Sequence, residues 1–251
     1  MSVLNLRGAD QLNTKYHLIP SIWNHPNLFS TLRLTSLHPG HQNALVLRID
    51  ELRTLVKLMT HFKIEHLQCE NIDFNVITSP DGNRVRLENC SNLKAIEMID
   101  CRTAVRFIVR AVCDCPLLGS VNTIARYADC PANLDIQMRI MALKLNKNYR
   151  LKHFDMCEVK EFIVRCLTSD YSASGAEHVI VYRNFIQKVI QRNAEGYTQC
   201  HDAVCQLALI KRQGNSQLFA SLNRDVVGII SGLLYESRFA VDWYPLLELT
   251  S

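Results

Sequence analysis

The stretch Cys90–Cys101, CSNLKAIEMIDC, constrains the fold of this chain more than any other. It places Leu93, Ile96, Met98 and Cys101 at the spacing Leu-x-x-Ile-x-Met-x-x-Cys. In an extended segment successive side chains point to opposite faces, so Ile96 and Met98 share one face while Ala95, Glu97 and Ile99 share the other. The closing Cys stands where the chain has to turn and a side chain can satisfy backbone groups. A helical run, TAVRFIVRAVCDC, follows directly.

The pattern recurs. Met1, Leu4, Leu6 and Ala9 hold the same spacing, as do Phe29, Leu32, Leu34 and Leu37, and then Ile64, Leu67, Cys69 and Ile72. A fifth copy keeps Leu118 and Val121 but has Thr123 and Arg126 in the next slots, and a sixth reads Met138, Met141, Leu143 and Asn146. First positions at 1, 29, 64, 93, 118 and 138 are separated by 28, 35, 29, 25 and 20 residues. Most of these intervals fall in the roughly 20–29-residue range of strand-plus-back repeats. The spacing predicts parallel strands at 3–7, 31–35, 66–70, 95–99, 120–124 and 140–144.

Between the strands, Leu52, Leu55, Val56 and Met59 after Asp50 make one helical face, and Val105, Ile108, Val109 and Val112 make another, with Thr103 as its cap. DFNVITSPDGNRVRLEN alternates around Ser-Pro-Asp-Gly, which predicts a hairpin on the back of the third repeat. After about Arg150 helical periodicity takes over. Asp155 with Glu158 reads as a capping box, and Ser174 starts a helix carrying Val179, Phe185, Ile186, Val189 and Ile190. The expected organisation is therefore a repeat domain over 1–150 and a helical cap or small helical domain over 151–251.

Residues 1–150 resemble the leucine-rich repeat family, closest to its cysteine-containing subclass, because Cys90-x-Asn-Leu and Cys115-Pro-x-Leu precede two of the strands. The resemblance implies an α/β solenoid with strands on a concave face, helices and one hairpin on the back, and a helical end-cap. It also implies a protein-interaction module, with the substrate receptors of ubiquitin ligases and host-directed bacterial effectors as parallels. The outward strand positions then form the partner-binding strip: Asn5, Arg7, Arg33, Thr35, His66, Gln68, Glu70, Glu97, Ile99, Asn122 and Lys144. Basic groups at one end, acidic groups in the middle and apolar groups later suit a protein partner better than a phosphate backbone.

Composition narrows the classes. With 28 basic against 24 acidic residues, scattered along the chain, no dedicated nucleic-acid surface is expected. No run of about 18 apolar residues predicts a membrane span, and MSVLNLRGADQL lacks the apolar core of a signal peptide. Ten cysteines, many at core-facing positions, read as reduced thiols, which places the chain in a cytoplasm, the host's if it is a secreted effector. Cys113-x-Cys115 has no second ligand pair at zinc spacing, so neither metal nor cofactor is expected. A cluster of Lys144, Lys147, Arg150 and Lys152 reads as a solvated junction. The alternative to a scaffold rests on Cys200-His201-Asp202, which resembles the catalytic centre of the bacterial novel-type ubiquitin ligases. By that resemblance Cys200 is the thioester nucleophile and Asp202 the base or orienting acid.

Overall fold

The computed structural model describes residues 2–12, 20–37, 44–78, 85–125, 134–145, 150–168 and 177–195. Its centre is a six-stranded, wholly parallel sheet: β1 (Val3–Arg7), β2 (Thr31–Thr35), β4 (His66–Glu70), β6 (Ala95–Ile99), β7 (Ser120–Ile124) and β8 (His153–Met156). Strand order in the sheet follows the order of the chain without a reversal. There is accordingly no switch point of the kind at which doubly wound sheets open a ligand crevice. The longer helices are α1 (Ile49–His61), α2 (Ala104–Asp114), α3 (Leu134–Leu145), α4 (Cys157–Thr168) and α5, over 177–195. The architecture is α/β, with helices alternating with parallel strands.

One backbone device sets the register of every neighbouring pair. The carbonyl of Ser2 accepts both Ser30 and Thr31 N–H; that of Ser30 accepts Glu65 and His66; that of Glu65 accepts Lys94 and Ala95. Lys94 accepts Gly119 and Ser120, and Gly119 accepts Lys152 and His153. With five such junctions in the same register, Leu32, Leu67, Ile96, Val121 and Phe154 align in one column and Leu34, Cys69, Met98, Thr123 and Met156 in the next. Ile64, Leu93, Leu118 and Leu151 form a third, fully buried column at the strand entries. Each such side chain removed from water contributes about 1.5–3 kcal/mol.

At the strand exits the chain bends through left-handed residues: Gly8 at φ 72°, Asn71 at 57° and Asp100 at 50°. Gly, Asn and Asp are the residues that enter this region at least cost. Past the bend the chain stacks again. A short parallel pair, β3 (Leu45–Val46) with β5 (Ile72–Asp73), is extended by a bridge from Asp73 to Arg102.

The helical layer covers one face of the sheet. Leu52, Leu55, Leu58 and Met59 of α1 are buried, and the Glu51 carboxylate accepts the Arg48 N–H at 2.7 Å at its start. In α2, Val105, Ile108, Val109 and Val112 are buried as the periodicity predicts, and Phe107 stacks on Phe74. In α5, Val179, Phe185, Ile186 and Val189 are buried, while Asn193 Nδ2 donates to the Leu151 carbonyl at 2.8 Å and so docks the helix on the entry to β8.

Four expectations need correction. Residues 140–144 are not the sixth strand; they lie in α3, where Met138, Met141, Ala142 and Leu145 are buried and Leu143 is 47% exposed. The slots Met138 and Met141 are three apart, a spacing that strand signature and helix face share, and the helix takes them. The sixth strand is β8, so the sheet continues past residue 150. No hairpin stands on the back of the third repeat among the described residues: Asn75–Thr78 is a 3-10 turn and Ile72–Asp73 pairs in parallel with β3. Thr103 does not cap α2 through its side chain; at φ 54° its hydroxyl donates to Asp73 at 3.2 Å. Asp155 and Glu158 form no capping box, because Asp155 is still in β8, paired with Lys160, and the Glu158 carboxylate turns inward to Thr123. No helix among the described residues is long and apolar enough to cross a membrane.

Candidate functional site

The second face of the sheet is open. Its side chains are exposed or half-buried, Thr31 excepted, and pairing in register arranges them in three columns. The middle column runs Asn5, Arg33, Gln68, Glu97, Asn122, Asp155; beside it lie Val3, Thr31, His66, Ala95, Ser120 and His153 on one side, and Arg7, Thr35, Glu70, Ile99 and Ile124 on the other. Six strands at the usual spacing make a surface roughly 24 Å across.

The face thus brings together ten of the eleven residues of the strip read from sequence: Asn5, Arg7, Arg33, Thr35, His66, Gln68, Glu70, Glu97, Ile99 and Asn122. Lys144 is not among them. It sits in the last turn of α3, within the helical layer, for the reason that displaced the sixth strand. The sequence reading missed His153 and Asp155, which β8 contributes instead. Their signal was present: Leu151, Phe154, Met156 and Val159 repeat the strand spacing.

Two polar links tie neighbouring strands. Arg33 meets Glu70 at 3.1 Å, and Gln68 Nε2 donates to Glu97 Oε2 at 3.1 Å. The Arg33–Glu70 pair is about half exposed and contributes on the order of 0–1 kcal/mol. Ala95 and Ser120, both small, leave a shallow depression of about 310 Å³ between His66 and His153, with Gln68, Glu97 and Asn122 along its side. The exposed side chain of Ile124 lies beside Ile99 at the strand exits.

Six thiols, Cys69, Cys90, Cys101, Cys113, Cys115 and Cys157, are not poised for nucleophilic chemistry. Burial raises Cys69 and Cys90, pushes Cys101 up to about 12, and raises Cys115 further still. Cys113 and Cys157, less buried, are pushed up to about 11, in both cases first by burial. All six are free cysteines. Among the described residues no three His, Cys, Asp or Glu side chains converge as a metal site would require. Of the histidines, His61 packs on Trp23 and Phe62 while His66 is on the open face; His38 and His41 lie outside the described residues. Cys200 and Asp202 also lie outside the described residues.

No protein-family model, curated protein or solved structure matches the chain.

Proposed function

We propose that this chain is a protein-interaction scaffold of the leucine-rich repeat type, which holds a partner protein on the open face of its sheet. The observation that carries the reading is the one-sided parallel sheet in chain order, with its five identical junctions. Parallel sheets normally bury both faces, so one left polar and accessible is a surface kept available. Chain-ordered stacking with a strand and a back in each unit supports a solenoid, and solenoids bind through this surface. The polar columns supply orientation and specificity. The depression over Ala95 and Ser120 takes an anchoring side chain, and the Glu97 carboxylate along its side favours one that is basic or donates hydrogen bonds.

The test is quantitative capture by the wild-type chain and by Glu70→Lys/Glu97→Lys. Exposed charges contribute little to folding, so the double variant keeps its melting temperature within a few degrees and loses the wild-type partner. Capture of the same protein at the same level by a folded double variant moves the interface off this face.

A further inference from the structure

The helical layer carries a concentration of positive charge that the open-face reading does not use. Along α2, Arg106, Val109, Arg110 and Cys113 recur at three- and four-residue spacing and share a stripe; Gln137, Ile140 and Lys144 do the same along α3. The two stripes line a cleft of about 430 Å³, to which Arg86 and Asp114 also contribute. Four cations therefore meet one carboxylate among the described residues. Asp114 is already engaged, accepting the Leu87 N–H at 3.3 Å, and Arg110 is anchored to the Val85 carbonyl at 3.2 Å. Among the described residues Arg86, Arg106 and Lys144 form no ion pair, in contrast to Arg33, Arg53, Lys94 and Lys160, each of which is matched with a carboxylate.

Like charges gathered in a concave, partly dry site raise the free energy of the empty protein, and a bound anion relieves it. The strain registers on Arg110: burial first, then Arg86 and Arg106 hold its guanidinium below its ordinary value, against the opposing pull of Asp114. Arginine forks match the geometry of phosphate oxygens, and a lysine adds a point charge. The basic groups are confined to a pocket of small-molecule size instead of running along the surface as a polynucleotide footprint would.

We propose that this cleft binds a phosphorylated small molecule. Arg86, Arg106 and Lys144 hold the phosphoryl oxygens, Arg110 adds its charge, and the organic body lies against Val109 and Ile140. The site is independent of the open face.

Calorimetric titration of the full chain with inorganic pyrophosphate and with phenyl phosphate, at ionic strength matched by sodium chloride, tests it. Both bind saturably at one site per chain, and phenyl phosphate binds more tightly than inorganic phosphate titrated in parallel. Arg106→Gln/Lys144→Gln weakens binding by about tenfold or more, as expected for lost charge-assisted hydrogen bonds. Arg86→Gln, at an exposed position, weakens it on its own, so a folding defect in the double variant does not shield the idea. Arg53→Gln, on α1 and outside both sites, leaves binding of the phosphate probes unchanged. Absence of saturable binding beyond chloride overturns the proposal, as does undiminished binding in the folded variants. Saturable binding of a poly-glutamate peptide without binding of either phosphate probe also overturns it, in favour of an acidic polypeptide.

Discussion

The β4–β6 pair and the β7–β8 pair are built on the same backbone junction and hold different chemistry in the same column. In the first, Cys69 lies beside Met98, both buried, and Cys101 Sγ donates to the Cys69 carbonyl at 3.4 Å. In the second, Thr123 lies beside Met156, and its hydroxyl donates to the buried Glu158 carboxylate at 2.7 Å. Cys157 closes the cluster, its N–H donating to Thr123 Oγ1 at 2.9 Å and its thiol to Glu158 at 3.3 Å. The difference teaches that the register belongs to the backbone carbonyls, while the column accepts either an apolar pair or a polar group that brings its own partner.

The largest expected effect is at the centre. Ile96 is 1% exposed between the β4 and β7 columns. Ile96→Asp places an unpaired carboxylate there and costs about 3–5 kcal/mol, read by urea denaturation. A loss below 1 kcal/mol would mean that the central column is not the core of the sheet.

The two pairs also differ in how they answer alkali. Burial pushes Cys101 from the ordinary thiol value of 9.0 to about 12, and Cys69 moves the same way; at the second pair the Thr123 hydroxyl does not titrate in this range, and the neighbouring Cys157 thiol is pushed only to about 11. The folded state holds the Cys101 proton more tightly than the unfolded chain does. Its contribution is therefore complete below pH 9 and is lost as pH rises from 9 towards 12, by up to about 1.4 kcal/mol per unit for one thiol. Stability measured against pH in this window falls less steeply in Cys101→Ala than in the wild type. An unchanged slope would show that Cys101 is not the group being titrated.

At the other pair, Thr123→Val removes the donor to a carboxylate that is 4% exposed and costs about 1–3 kcal/mol. Thr123→Val/Glu158→Leu, with both partners apolar, recovers part of that loss; the Cys157 N–H, left without its acceptor, keeps recovery incomplete. Additive losses in the double variant would show that the hydroxyl and the carboxylate act independently.

This contrast also explains what was legible in the sequence. Five strands occupy the spans that their apolar spacing predicts, because the core column is apolar or, at Thr123, flanked by Leu118 and Val121. The sixth was misplaced because Met138 and Met141 satisfy two periods at once, and a strand ending in Phe154-Asp155-Met156 was absorbed into the reading of the helix that follows it. Most of the open face followed from strand parity alone, which is why ten of its residues were readable and His153 and Asp155 were not. The basic cleft was out of reach of the sequence. Arg86, Arg106 and Lys144 come from three separate segments and are joined only by the packing of α2 on α3 and by the bonds that hold Val85 and Leu87 to α2.

The smallest expected effect concerns the bends, where the central pair shows its own backbone constraint. Asp100 closes β6 at φ 50°, and its N–H donates to the Ile124 carbonyl at 2.7 Å, the position that Asn71 takes at the end of β4. Any substitution here removes the aspartate side chain and whatever it holds, so one variant alone does not isolate the backbone. The comparison of Asp100→Ala with Asp100→Gly does. Alanine pays the left-handed cost of about 1 kcal/mol, while glycine enters that region freely but gives up unfolded-state order. The glycine variant should therefore be the more stable of the two by about 0.5–1 kcal/mol, read as a difference in denaturation midpoint at constant slope. If alanine equals or exceeds glycine, the bend is not left-handed, and the stacking of the chain beyond β4 and β6 needs another explanation.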